Sequence, residues 1–177
     1  MVDVVYRTIL QRDCNYSVNY QVGLRYAQLD QQFQSEFSIL GVRTVNTDIQ
    51  FNGLGVRAGL DGEFALGRGF FAHSQAFGNI LAGQFSADYV QQFNLAGLEA
   101  NTGLDDNRIV PQLELELGLS WRDSSGRLHV RAGYYLGAWF NIATTPTWID
   151  AVQANNTTDV SESLLFDGMT IRAEYRF

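Results

Sequence analysis

Residues 168–177 read GMTIRAEYRF, and the reading of this stretch decides the fold. Met169, Ile171, Ala173, Tyr175 and Phe177 share one parity. Gly168, Thr170, Arg172, Glu174 and Arg176 share the other. A period of two is a β-strand with one apolar and one polar face. Here the polar face carries three charges in five positions. A soluble sandwich also makes such a strand, but the same pattern recurs along most of the chain, at lengths near those of membrane-crossing strands.

Working outward, Arg127–Asn141 alternates in the same way and is joined by the tight turn 122–126 to Ile109–Trp121. In that segment Leu113, Leu115, Leu117 and Leu119 oppose Glu114, Glu116, Gly118 and Ser120. Further strands are predicted over Phe70–Ala82, Asp48–Leu60, Tyr16–Tyr26 and Val2–Leu10, with the last strand beginning at about Phe166. After Tyr26 the parity slips: Leu29, Phe33 and Phe37 are apolar, while Asp30, Gln32, Gln34 and Glu36 are polar. This predicts either a bulge or a strand running on past a membrane. The connections alternate between short (11–15, 61–69, 122–126) and long (38–47, 84–108, 142–163). In an outer-membrane barrel the short turns are periplasmic and the long loops extracellular. The fold expected is all-β, an antiparallel up-and-down transmembrane barrel or an incomplete section of one, with seven strands, or eight if Phe85–Phe93 is another. Residues 1–177 form one domain, read as lacking an upstream strand because barrels of this type have even strand numbers.

Composition narrows the function. All 12 basic side chains are arginine and the net charge is -7, which argues against nucleic acid as a partner. The longest apolar run falls short of a spanning helix, which says nothing against a barrel. The opening MVDVVYRTIL lacks the pattern of a signal peptide. A single cysteine, Cys14, excludes an internal disulfide and is read as a buried free thiol.

In the membrane reading the apolar faces meet lipid and the polar faces line a lumen. The pore-lining candidates are Arg7, Arg25, Arg57, Glu114, Glu116, Arg131, Arg172, Glu174 and Arg176. With Asp3 they leave an excess of two positive charges, which predicts a modest preference for small anions. The alternative is a filled lumen in which arginines and carboxylates pair. Tyr16, Trp121, Tyr175 and Phe177 are expected in an aromatic girdle near the short turns, with Trp139 and Phe140 at the opposite rim. Motifs of zinc hydrolases, serine hydrolases, nucleotide binders and redox dithiols are absent from the sequence. No catalysis, cofactor or metal site is expected. His73 and His129 are read as satisfied polar side chains, and Asp88, Glu99, Asp105 and Asp106 as an acidic loop.

Four segments carry a family resemblance: RDCNYSVNYQVGLRYAQLDQQF at 12–33, FNGLGVRAGLDGEFAL at 51–66, VPQLELELGLSW at 110–121 and the closing GMTIRAEYRF. The chain resembles the C-terminal part of the Legionella-type major outer membrane proteins. That resemblance implies an integral β-barrel in the bacterial outer membrane that passes small hydrophilic solutes or ions by passive diffusion. It implies outer-membrane lipid and the barrel assembly machinery as partners, the latter reading the aromatic Phe177. It also leaves room for a homo-oligomer, in which Cys14 would pair between chains. A non-conducting structural or adhesive barrel and a soluble β-barrel or sandwich are the competing readings.

Overall fold

The computed structural model describes residues 1–38, 41–157 and 160–176. Among the described residues seven strands follow one another: β1 (Val2–Arg12), β2 (Tyr16–Ser38), β3 (Val42–Gly67), β4 (Phe70–Phe93), β5 (Gly97–Arg122), β6 (Leu128–Ile142) and β7 (Glu162–Tyr175). A helix, α1 (Thr145–Gln153), lies between β6 and β7. The strands form one antiparallel meander in chain order, and the sheet is not closed. With an odd number of strands, β1 and β7 run in the same direction. The two edges therefore cannot join each other by antiparallel pairing.

The strands are far longer than the alternating apolar segments alone indicate. β3 and β5 each have 26 residues. The segment expected to be a loop at 38–47 is strand from Val42 onward, and residues 39–40 lie outside the described residues. The turn expected at 61–69 shrinks to the link at 68–69, where Gly67, Arg68 and Gly69 all take positive φ. The long connection 84–108 is the upper part of a hairpin, with only residues 94–96 between β4 and β5. Asp88, Glu99, Asp105 and Asp106 therefore sit on strands.

The parity slip after Tyr26 is no bulge. β2 pairs with β3 without a register shift from Tyr16↔Phe64 to Ser38↔Val42. What changes is the polarity of the two faces. On the outer face one cross-strand row reads Tyr26, Leu54, Ala82, Ile109, and the next reads Gln28, Asn52, Gln84, Asn107. Above it come Asp30, Gln50, Ser86, Asp105, then Gln32, Asp48, Asp88, Gly103. Below the switch the outer face is apolar down to the row Phe70, Trp121, Val130, Ala173, apart from Ser74 and from Asp167 on the edge strand β7, which accepts from the Tyr134 hydroxyl. From Ile109 to Trp121 this belt measures about 40 Å along a strand, or about 30 Å in height for strands tilted about 40°. That matches the hydrocarbon core of a bilayer.

Above the switch the inner face becomes the hydrophobic core. Ile49, Phe51, Leu81, Phe85, Tyr89 and Val110 are buried there together with Trp139, Ile142 and Trp148. α1 supplies Trp148 fully buried, with Ile149 and Val152 packed beside it. Pro146 stands in its first turn, where a missing N–H is tolerated. The hydroxyls of Thr144 and Thr147 both donate to Glu162, tying the helix start to β7. The stretch read as a loop at 142–163 thus holds a short helix, and β7 begins at Glu162 rather than Phe166.

Candidate functional site

The sheet is curled, because side chains from strands that are not neighbours meet across its inner face. Arg25 on β2 reaches Glu114 on β5, and Arg131 on β6 reaches Glu63 on β3. Flat, strands three places apart would stand about 14 Å from each other. The inner face is therefore the floor of a trough, and in the membrane belt it is polar.

Glu114 is the centre of the upper cluster. It accepts from the guanidinium of Arg25 on one side and from Arg57 Nη1 at 2.7 Å on the other. Arg25 also grips Asp3 at two points, Nε to Oδ1 and Nη2 to Oδ2, both 2.7 Å. The Arg57 guanidinium lies 3.9 Å above the Phe77 ring and donates to Asn79 Oδ1 at 3.1 Å. Two arginines and two carboxylates balance here, with the arginines and Glu114 withdrawn from solvent. The glycines on this face give them room. A Cβ at Gly59 would fall 2.2 Å from the Phe77 ring.

One row lower, Glu116 accepts from Arg172 Nη2 at 3.0 Å and from Thr170 Oγ1 at 3.1 Å. His73 Nε2 stands 3.6 Å from Glu116 Oε1. Among the described residues neither buried ring nitrogen of His73 has a hydrogen-bond partner, so the reading of a satisfied histidine does not hold. His129 is closer to that reading, with Arg131 Nε at 3.5 Å from its Nε2.

Towards the short turns, Asp61 collects Arg7, Asn19 and Gln21, and Glu63 holds Arg131 with Arg122 at 3.7 Å. A polar cavity of about 320 Å³ opens there beside Arg7, Arg131, Glu174 and Arg176. Asp61, Glu63 and Arg122 were missed from the sequence because 61–69 and 122–126 read as turns. Their parity, continued along β3 and β5, places them on the inner wall.

The outer face carries the leucines. Leu113, Leu117 and Leu119 are more than half exposed, whereas Glu114 and Glu116 are buried. Trp121 and Tyr175 lie on the outer rows at the turn end, and Tyr16 opens β2, its hydroxyl accepting from Gln11 Nε2 at 2.6 Å. Trp139 takes no part in an outer rim. It is 2% exposed on the inner face, edge-on to Phe51 and Phe166 at 6.4 Å each. Phe140 follows it, half-buried, where the β6–β7 register shifts. Phe177 lies outside the described residues. Cys14 is exposed in the β1–β2 turn, contrary to the buried thiol expected. Among the described residues no group of three or more histidine, cysteine, aspartate or glutamate side chains is placed to hold a metal ion.

No curated protein and no solved structure matches the chain. The family model described as Legionella pneumophila major outer membrane protein precursor matches residues 1–177. An apolar belt of bilayer height around a charged trough is the form such a protein takes in a membrane. The chain belongs to the Legionella major outer membrane protein family, and its place is the bacterial outer membrane.

Proposed function

We propose that the protein forms a pore through which small hydrophilic solutes or ions cross the outer membrane by passive diffusion, without catalysis or cofactor. The observation that supports this reading is the charged inner wall behind the apolar belt. Ionised side chains at membrane depth are costly unless they face water or one another, and charged pore walls serve selection. Lipid on the outer face, the assembly machinery and a second copy of the chain are the partners this function involves.

A second reading is a non-conducting barrel. It draws on the ion pairs that cross the trough at Arg25–Glu114 and Arg131–Glu63, and on the core around α1 that fills the upper end. Conductance separates the two. Protein taken from outer membranes and added to a planar bilayer is expected to give discrete channel steps. The zero-current potential under a salt gradient should shift towards cations in the variant Arg57→Ser plus Arg131→Ser, because Glu114 and Glu63 each lose a compensating charge. Folded protein that inserts without current steps would overturn the pore and leave the structural barrel.

A further inference from the structure

The upper end of the trough holds a cavity that folding does not account for. It measures about 390 Å³ and is lined by Phe37, Arg43, Tyr89, Gln91, Phe93 and, from the end of α1, Gln153. Phe37, Arg43 and Phe93 form one cross-strand row on β2, β3 and β4. The two rings therefore stand two strands apart, about 10 Å. Phe33 and Tyr89 flank Thr47 in the inner row nearer the membrane. Phe37 is 54% exposed and Phe33 42%, although the core begins just beneath them. Both rings lie on the part of β2 that β1 does not cover, which leaves this side of the cavity open.

The polar groups between the rings are held in place. Tyr89 donates to Gln91 Oε1 at 2.7 Å, and Gln91 Nε2 donates to Glu99 Oε2 at 2.6 Å. Glu99 in turn takes Arg43 at two points, both 2.9 Å. The Arg43 guanidinium lies 5.4 Å from the centre of the Phe93 ring. Hydrogen bonds from Arg43 and Gln91 hold the Glu99 carboxyl below the ordinary glutamate range, so the pair stays ionised and mutually neutral at physiological pH.

This combination selects a chemistry. An anion finds Arg43 already matched by Glu99, and a cation finds the reverse. A plain alkyl chain would cover the amide of Gln153 and leave unused the second N–H of Gln91, whose amide is otherwise held by Tyr89 and Glu99, and covering a polar group without a partner costs free energy. A neutral molecule with an apolar flat face and hydroxyls at its rim meets both needs. Aromatic rings take the C–H face, and side-chain amides donate to and accept from hydroxyls at once. The volume falls within the range of small-molecule sites. We propose that this cup binds a saccharide at the extracellular mouth. Its role as the first station of a solute path rests on the pore reading, but binding itself does not.

The test uses protein extracted from outer membranes in a sugar-free zwitterionic detergent. Maltotriose, cellotriose and triacetylchitotriose serve as probes in saturation-transfer NMR, with hexan-1-ol as an apolar competitor. At least one trisaccharide is expected to bind at millimolar concentration and to resist hexan-1-ol. Phe37→Ala plus Phe93→Ala should weaken it at least tenfold, with heat-modifiable gel migration unchanged. If the double variant does not fold, Phe37→Leu keeps the packing, removes the ring and should show the same direction. Absence of binding by all three sugars, equal binding by the variants, or displacement by hexan-1-ol overturns the proposal. None of these readouts needs an open channel. Sugar binding without current steps would refute the pore alone, and current steps without sugar binding would refute the cup alone.

Discussion

Leu117 and Glu116 are neighbours in the chain and live in different solvents. Leu117 projects from the belt with 53% of its surface exposed, while Glu116 is 4% exposed beneath Arg172, Thr170 and His73. Leu117→Arg places a guanidinium in hydrocarbon and should destabilise the inserted protein by about 2–4 kcal/mol. Urea unfolding from lipid vesicles measures that loss. Glu116→Gln keeps an acceptor for Thr170 and loses only the ionic part of a contact with the half-exposed Arg172. It should fold, with a change well under that of the Leu117 variant. Glu114 differs from Glu116, since removing it leaves two withdrawn arginines, Arg25 and Arg57, with Asp3 as their one remaining carboxylate among the described residues.

At the scale of elements, β2 is one strand with two meanings. Its lower half keeps apolar side chains outside, and its upper half keeps them inside. Strict alternation was legible wherever one face stayed apolar, which is why Tyr16–Tyr26 and Ile109–Trp121 were placed on strands from sequence. The exchange of faces at Gln28 looks in sequence like a slip of register, because periodicity reports only that apolar residues changed parity. Register is a property of the partner strand, and β3 makes the same exchange at Asn52. The charged residues at 61 and 63 were hidden because the turn read over 61–69 took them in, yet Gly62 between them lies within β3, paired with Val18 and Ser74. α1 was beyond reach, since nine residues with a proline near the start carry too little helical periodicity. Its hold on the sheet depends on Trp148. Trp148→Ala should destabilise the upper core by about 3–5 kcal/mol. Hydrogen exchange should show amides of α1 and the upper part of β3 losing protection while the belt strands keep theirs. Uniform loss along β3, Val42 to Gly67, would mean that the two halves do not open separately.

For the molecule as a whole, the single cysteine is a natural reporter of orientation. Cys14 is exposed in the turn joining β1 and β2, at the end of the sheet away from α1. A membrane-impermeant maleimide should leave it unmodified in intact cells and label it once the outer membrane is permeabilised. Labelling of intact cells would invert the topology. The row Gln28, Asn52, Gln84, Asn107 also bears on how the protein rides in its bilayer. Directly above it Asp30, Asp48, Asp88 and Asp105 face outward, and among the described residues no outward arginine offsets them there. Carboxylates of that density cannot follow a sinking protein into hydrocarbon, whereas the aromatic lower border of Trp121 and Tyr175 can shift by several ångströms at small cost. The protein thus has a fixed waterline and an adjustable keel: when the bilayer thickens or thins, the depth of immersion is set at the acidic border, and the aromatic border at the opposite end absorbs the difference.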